Sequence, residues 1–236
     1  MLIGVSFLTS TLAGIIGMAG GLLLVSVMAA FLPPAAIVPL HGVVQLISNA
    51  TRALFGFQYI EWRIFGHYFF GGMIGAAVGS QFITRIPPEL IPFLLGCFIL
   101  IVTWMPSVPL EARIPFKFFI IGSIQTFISL FVGPPGPLHL LFLLREGLGR
   151  DRLVVTGASI ITGLHFLKVV TFGLIGFVFA PYIGLLAGMM ISVTLGSYVG
   201  SRLRGIVPER PFLLLCKILL TLLALRMLFK VILHYT

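Results

Sequence analysis

The chain has 236 residues, of which 59% are hydrophobic and 9% charged, and its mean hydropathy is +1.17. Soluble domains carry about 25% charged residues, so this chain has too little polar surface for a water-soluble globule, and lipid must be the solvent for most of it. The net charge of +9 would favour nucleic acid as the partner of a soluble protein, but no basic run lies on a soluble domain, so we expect no nucleic-acid binding and assign the excess Lys and Arg to cytoplasmic loops.

Eight apolar segments follow one another along the chain, separated by charged or proline-rich breaks. They cover residues 1–31, 36–57, 64–84, 90–106, 116–144, 152–173, 177–202 and 211–233. About 20 apolar residues span the hydrocarbon of a bilayer, so each segment is long enough for a membrane helix. The sequence therefore predicts an all-α, polytopic membrane protein. Because no Lys or Arg precedes Arg52, the first segment is interpreted as part of the mature protein and not as a secretory signal.

The first and fifth segments are interrupted by glycine and proline. Residues 1–31 would form a helix of about 46 Å, which is too long for one span. The interruptions are Gly17-Met-Ala-Gly20-Gly21 and, in segment 116–144, Gly133-Pro-Pro-Gly136-Pro137. These residues break helices, so each segment is either a tilted, kinked span or a re-entrant hairpin. The half-helix ends would offer free N–H groups and a positive dipole end to an anion.

The second segment carries a polar stripe on one helical face. Its members are spaced i, i+4, i+7, i+8 and i+11, and they are His41, Gln45, Ser48, Asn49 and Arg52. Lipid cannot satisfy such a stripe, so it must face the protein interior or a wet cavity. The stripe is interpreted as part of a substrate pathway; the alternative is hydrogen bonding between helices, with Arg52 snorkelling to the interface.

The sixth segment carries a weaker matching set. Its members are Thr156, Ser159, Thr162, His165 and Lys168. All six acidic residues lie in or beside loops, so Arg52 and Lys168 are expected to lack an acidic partner in the membrane core. Because an unpaired charge is costly there, an anionic substrate facing both cations would supply the counter-ion. His41 and His165 are candidates for proton coupling, whereas His67 and His139 are expected to be hydrogen-bonded helix residues.

An internal repeat relates two halves of the chain, about 1–114 and 115–236. At an offset of 116 residues, Asn49 matches His165 and Arg52 matches Lys168. At an offset of 121, Gly75-Ala-Ala-Val-Gly79-Ser80 matches Gly196-Ser-Tyr-Val-Gly200-Ser201. The Gly-x-x-x-Gly pairs predict close helix packing.

Loop charges favour an inverted relation between these halves. If every segment spans once, the short-loop Lys and Arg divide seven to four between the two sides. If the first and fifth segments are re-entrant, the division is nine to two, which is the stronger positive-inside bias. Both arrangements place both termini on the extracytoplasmic side. The inverted arrangement is therefore preferred, with loop 145–152 in the cytoplasm.

The sequence resembles the TauE/SafE sulfite-exporter family over nearly its whole length. The resemblance lies in Gly14-Ile-Ile-Gly17-Met-Ala-Gly20-Gly21 with Pro33-Pro34, in His41-Gly-Val-Val-Gln45-Leu-Ile-Ser-Asn49-Ala-Thr-Arg52, and in Val155-Thr156-Gly157-Ala158-Ser159. It implies export of sulfite, sulfoacetate or related sulfur-containing anions across the bacterial inner membrane. The substrate-binding candidates are Gly17, Gly20, Gly21, His41, Gln45, Asn49, Arg52, Gly133, Gly136, Thr156, Ser159, His165 and Lys168.

Two other classes of function compete with a secondary anion exporter. A non-transporting scaffold or assembly subunit would need neither broken helices nor a polar stripe that recurs in both halves. An intramembrane enzyme would need a nucleophile with its base, and no Ser–His–Asp set or metal-ligand spacing is present. No cofactor is expected, the expected partners are the lipid bilayer and a small anion with protons as a candidate coupling ion, and a homodimer is left open.

Overall fold

The computed structural model describes residues 1–16, 20–105, 115–134, 138–203 and 209–235. The regular elements of this part of the chain are helical, with ten α-helices joined by short 3₁₀ turns. They are α1 (Leu2–Ile16), α2 (Gly20–Phe31), α3 (Pro34–Leu54), α4 (Trp62–Ile83), α5 (Ile91–Trp104), α6 (Lys117–Val132), α7 (Leu138–Leu143), α8 (Arg150–Leu174), α9 (Ile183–Leu203) and α10 (Glu209–Tyr235). The predicted all-α fold is confirmed, and each predicted apolar segment coincides with one helix or with a pair of short ones.

The predicted interruption of the first and fifth segments is also confirmed. The first segment is divided into α1 and α2, and the fifth into α6 and α7. At 1.5 Å per residue, α1 and α2 are about 22 and 18 Å long, so neither reaches across about 30 Å of hydrocarbon. Gly20 lies against the Thr9 carbonyl and the Ala13 side chain, so α2 begins beside the middle of α1.

Several helices are candidate membrane spans by length and composition. Asp151–Leu174 and Ala180–Leu203 qualify individually among the described residues. Trp62–Ile83 and Pro88–Trp104 qualify together as a pair bent by 116°, which is either a broken span or a re-entrant loop. The sequence had predicted this pair as two separate segments.

The surface of α4 shows which solvent these helices meet. Phe70, Ile74, Val78 and Phe82 recur every fourth residue, and each is exposed. A stripe of large apolar side chains along one helix face would be unfavourable in water, whereas lipid tails solvate it well. This face is therefore a lipid-facing surface.

The first half contacts the second through α1 and α9, which run parallel to each other. A Cβ atom on Gly196 would collide with the Phe7 carbonyl, and one on Gly200 with the Thr11 carbonyl. Ser192 Oγ extends the same line of contact by donating a hydrogen bond to the Ile3 carbonyl at 2.6 Å. Glycine thus allows the two backbones to approach closely, as the sequence predicts.

The helices α4 and α6 form the second close, parallel pair. A Cβ atom on Gly75 would collide with the Ser123 carbonyl, and one on Gly79 would meet the side chains of Leu130 and Phe127. The Ser123 hydroxyl also donates a hydrogen bond to the Gly71 carbonyl at 2.9 Å. Each half therefore supplies a glycine-lined helix to a helix of the other half.

The helices α3 and α8 cross antiparallel in the middle of the protein. His41, near the beginning of α3, contacts His165 in the second half of α8. Gly56, just after α3, lies against Val155 near the beginning of α8. The polar stripes of the second and sixth segments therefore lie on two helices that pack on each other.

Candidate substrate-binding site

Two histidines mark the crossing of α3 and α8. The rings of His41 and His165 lie edge to face with centroids 5.8 Å apart, and both side chains are buried. The Nδ1 atoms of both rings are buried without a hydrogen-bond partner in the described part of the chain. His41 Nε2 lies 3.0 Å from the Gly21 carbonyl. A carbonyl only accepts, so Nε2 carries the proton and Nδ1 of neutral His41 presents a lone pair.

Both helix interruptions reach this crossing. Gly21, at the beginning of α2, is bonded to His41. Gly133, at the end of α6, accepts a hydrogen bond from Lys168 Nζ and faces the His41 ring. Its φ of 73° lies in the left-handed region that favours glycine. The structure thus brings together five of the predicted site residues, which are Gly21, His41, Gly133, His165 and Lys168.

Lys168 is the most deeply buried cation among the described residues, with 0% of its surface exposed. Its ammonium contacts the Gly133 carbonyl, and its aliphatic stem lies against Gly42 of α3. No carboxylate of the described residues forms an ion pair with it.

Arg52 is held differently, along its own helix. Its Nη2 donates to Asn49 Oδ1 at 2.9 Å and its Nε to the Ser48 carbonyl at 3.2 Å. Asn49 Nδ2 in turn donates to the Gln45 carbonyl at 2.7 Å. Gln45, Asn49 and Arg52 thus form a polar chain on α3, and Gln45 also lies against Gly21.

The two cations lie at different levels along α3. The stem of Lys168 lies against Gly42, whereas Arg52 follows ten residues later on α3. Ten residues correspond to about 15 Å along a helix axis. Because the Arg52 guanidinium bonds the Ser48 carbonyl one turn back, it lies nearer to the level of Lys168 than this spacing indicates.

The remaining candidates on α8 make local or structural contacts. Ser159 Oγ donates to the Val155 carbonyl at 2.9 Å, one turn back on its own helix. Thr156 Oγ1 accepts a hydrogen bond from the Glu61 backbone N–H at 3.0 Å and so ties α8 to the segment before α4. Gly20 packs on α1, while Gly17 and Gly136 lie outside the described residues.

A buried serine cluster lies beside the site, and the sequence predicts Ser48 of the polar stripe but not its two partners. Ser10 of α1 lies 2.8 Å from Ser197 of α9 and 3.1 Å from Ser48 of α3, each distance measured between the hydroxyl oxygens. Ser10 also donates to the Val193 carbonyl at 2.8 Å. The sequence signal for such a cluster is the presence of serines in apolar helices. This signal does not identify the partner of each serine, because serine also commonly bonds the backbone of its own helix.

The sequence predicts that His67 and His139 are hydrogen-bonded helix residues. His67 Nδ1 donates to the Arg63 carbonyl at 2.7 Å, as expected. His139 Nδ1 is buried without a hydrogen-bond partner in the described part of the chain, and the expectation for His139 as a whole stays a prediction. No group of three or more His, Cys, Asp or Glu residues that could hold a metal ion occurs among the described residues.

Comparison with known families covers nearly the whole chain. A family model described as "Sulfite exporter TauE/SafE" matches residues 2–227. No curated protein and no solved structure gives a significant match. The matched range includes every candidate residue named above and all ten helices apart from the last turns of α10.

Proposed function

Because this chain belongs to the TauE/SafE sulfite exporter family, we propose that it exports sulfite or a small organic sulfonate across the bacterial inner membrane as a secondary transporter. The family identifies a membrane transporter of sulfur-containing anions and not an enzyme. Together with the apolar helices, it identifies a multi-pass membrane protein. The choice of substrate, the coupling ion and the binding residues are the proposal.

The burial of the Lys168 ammonium is the single observation on which the proposed binding site rests. A fully buried ammonium loses the hydration that stabilises it in water, and the uncharged Gly133 carbonyl replaces only part of that loss. An oxyanion beside Lys168 would supply the missing charge. His41 and His165 lie at the same crossing and add polar atoms without a protein partner among the described residues.

The beginning of α2 supplies the second part of the proposed site. The first N–H groups of a helix have no intrahelical partner, and the helix dipole makes that end positive. Gly20 and Gly21 begin α2, and Gly21 lies next to Gln45 and His41. An anion at this end would be met by backbone N–H groups and by the Gln45 amide. Gly17 and Gly136, which flank the two breaks, remain predicted members of the same site.

Arg52 and Lys168 are proposed to bind the anion in succession. Their contacts with α3, at Gly42 for Lys168 and at Ser48 and Asn49 for Arg52, support two points of one pathway over one shared pocket. Asn49 and Gln45 connect those points along the helix, since each hydrogen-bonds with the next polar residue of the stripe. Thr156 and Ser159 are retained as pathway residues on the facing helix α8.

The arrangement of the helix pairs supports an inverted repeat. In the internal repeat, Phe7 matches Ser123 at the offset of 116, and Gly75 matches Gly196 at the offset of 121. The Phe7–Gly196 contact of the α1–α9 pair therefore corresponds to the Ser123–Gly75 contact of the α4–α6 pair. Equivalent helices of an inverted pair should run antiparallel, as α3 and α8 do. The helices α5 and α10 also run antiparallel, because Gly96 meets Leu228 while Trp104 Nε1 donates to Thr221.

The same arrangement supports re-entrant first segments. The helix α2 begins beside the middle of α1, as expected where a chain enters the membrane and turns back. Re-entry of both broken segments leaves three spans in each half and gives the nine-to-two division of Lys and Arg between the two sides. Both termini are accordingly proposed to be extracytoplasmic.

Protons are the proposed coupling ion. The lone pair on Nδ1 of neutral His41 can take up a proton next to a bound anion. Nδ1 of His165, which matches Asn49 in the internal repeat, is a second nitrogen without a partner among the described residues. Movement of a proton with the anion would also reduce the charge carried through the membrane.

Flux measurements on the purified protein in vesicles test the function. Sulfite and sulfoacetate are expected to cross protein-containing vesicles faster than protein-free ones, sulfate more slowly than either, and all faster with an imposed proton gradient. A matched preparation of the Lys168→Met variant serves as the control for leak. Flux through protein-containing vesicles that is no faster than through protein-free ones would support the scaffold alternative, and flux that is insensitive to the gradient would remove protons as the coupling ion.

A further inference from the structure

A groove of about 770 Å³ runs between α4 and α6, away from the proposed transport site. It lies at the end where both helices begin, with Trp62 and Arg63 on one side and Phe116 on the other. Gly66 forms part of its wall, and no other part of the described protein comes within 4 Å of the position that a Cβ atom would take there. The groove therefore exists because glycine leaves space between two parallel helices.

The walls of the groove are apolar and open to the surroundings. Phe70 and Phe116 line it with 64% and 74% of their surfaces exposed, and Ile120 lies next to them at 42%. Phe70 belongs to the lipid-facing stripe of α4. A hydrocarbon chain suits this part of the groove, because the walls are mainly apolar and the Nδ1 of His67, which also lines the groove, is bonded to the Arg63 carbonyl.

One end of the groove is polar. Arg63 lies in the first turn of α4, and its guanidinium forms no ion pair within the described part of the chain, whereas Lys117 and Arg152 at the same end pair with Glu146 and Glu61. Trp62 adds an indole N–H, which is a donor only, and its ring is fixed by edge contacts with two phenylalanines. The donors of this end suit an anion with several acceptor oxygens.

We propose that this groove binds a phospholipid with an anionic headgroup. The phosphate would accept two parallel hydrogen bonds from the Arg63 guanidinium and one from Trp62, and an acyl chain would lie along Gly66, Phe70 and Ile120. Tryptophan and arginine at a helix end are typical of the membrane interface. Basic pockets between helices attract anionic lipids, chiefly on the cytoplasmic side, which is the side expected for Arg63 from the loop charges. A free small anion would gain nothing from the apolar walls.

The two tryptophans of the chain allow a selective test. Trp104→Phe leaves Trp62 at the groove as the fluorophore, whereas Trp62→Phe leaves Trp104, which is bonded to Thr221 on the α5–α10 pair, as the matched control. Each variant is placed in phosphatidylcholine vesicles that contain one brominated lipid, either phosphatidylglycerol or phosphatidylcholine. In both brominated lipids the bromine atoms are in the upper acyl chain. Quenching of each tryptophan then reports the local lipid composition.

Brominated phosphatidylglycerol is expected to be enriched at Trp62 about fivefold over brominated phosphatidylcholine, which is the preference that one basic residue near an anionic lipid provides. Arg63→Gln should abolish the enrichment, and Gly66→Leu, which fills the groove, should reduce quenching with Arg63 intact. Trp104 should follow the bulk composition. Equal quenching of Trp62 by the two lipids, or enrichment that survives either substitution in a protein of unchanged helicity, would overturn the proposal.

Discussion

The two cations of the proposed site differ in the protein groups that bind them. Lys168 reaches a single carbonyl in the buried core, while Arg52 is held by two groups of its own helix. A cation that the protein leaves with one neutral partner is available to a ligand, whereas a cation with several partners must give up contacts to bind one. Single substitutions should therefore affect the two positions differently.

Lys168→Met should remove transport while leaving the protein folded. Methionine keeps much of the length of the stem against Gly42 but carries no charge, and burying it is less costly than burying an ammonium. We expect the apparent affinity for sulfite to fall by at least about 30-fold, since losing a buried charge contact costs about 2 kcal/mol or more. Flux and thermal unfolding are measured together, with Lys217→Met on the exposed face of α10 as the control. Normal flux by Lys168→Met would show that the ammonium only holds the Gly133 break.

Arg52→Ala should abolish transport, and Arg52→Lys should restore only part of it. The guanidinium can bind an oxyanion through two parallel hydrogen bonds, and an ammonium lacks this planar fork. Thr51→Ala is a matched control on the same turn, because Thr51 Oγ1 bonds only the Ile47 carbonyl one turn back. Near-normal vesicle flux by Arg52→Ala would mean that Arg52 does not contact the substrate. Its side chain would then only extend to the membrane interface or end the polar chain of α3.

Pairs of helices show how the two halves are joined. The pairs α1–α9 and α4–α6 use glycine for close approach, and the crossing of α3 on α8 brings the polar stripes together. Packing of this kind depends on backbone separation, so it should be sensitive to side-chain volume at a few glycines. The separation of the cations along α3 is a consequence of the same antiparallel crossing.

Gly75→Val and Gly196→Val should destabilise the protein to similar extents. Each new side chain would collide with a backbone carbonyl of the partner helix, Ser123 in one case and Phe7 in the other. Overpacking typically costs about 1–3 kcal/mol. The free energy of unfolding in detergent and denaturant is measured, with Gly184→Val as the control because its Cβ position has open space. A large effect at only one of the two glycines would contradict the equivalence of the pairs.

Arg52→Gln and Lys168→Gln should have additive effects on ligand affinity. The Lys168 stem meets α3 at Gly42 and the Arg52 guanidinium bonds it at Ser48, so we expect the two groups to act on a small anion at separate points. The effects of substitutions at distant sites add to within about 0.5 kcal/mol. Binding to both single variants and to the double variant is measured by calorimetry. A coupling energy of about 0.5–3 kcal/mol would instead place both cations around one anion, as the sequence alone predicts.

At the scale of the whole molecule, the loop charges predict an orientation in the membrane. The positive-inside bias predicts that loop 145–152 lies in the cytoplasm, and the inverted arrangement predicts that the 3₁₀ turn at Pro88–Leu90 lies on the opposite side. The two helix breaks then enter the membrane from opposite sides, which gives each side its own approach to the α3–α8 crossing.

Arg150→Cys should react with an impermeant thiol reagent only after the cells are permeabilised, and Glu89→Cys should react without permeabilisation. Both substitutions are made in a protein whose Cys97 and Cys216 have been replaced by alanine, so that no other thiol reports. Glu89→Cys is the positive control for labelling from outside. Labelling of Arg150→Cys in intact cells would reverse the proposed orientation.

Much of this architecture could be predicted from local sequence. Apolar segments of sufficient length predict helices because backbone groups in lipid must bond within their own segment. Glycine and proline predict the breaks at residues 17–21 and 133–137, since they interrupt that bonding locally. The polar stripe of α3 follows from a helical spacing that His41, Gln45 and Asn49 display within ten residues. Family membership also follows from the sequence, because it depends on a pattern along residues 2–227.

The tertiary structure alone decided which groups meet. Ser192 bonds the carbonyl of Ile3, 189 positions away, and Lys168 bonds that of Gly133, 35 positions away. No local pattern encodes such pairings, because they depend on how helices dock on one another. For the same reason the sequence could identify Arg52 and Lys168 as matching cations but could not place them at different levels. Their positions follow from the antiparallel crossing of α3 and α8, where the closest contacts are set by packing and not by sequence order.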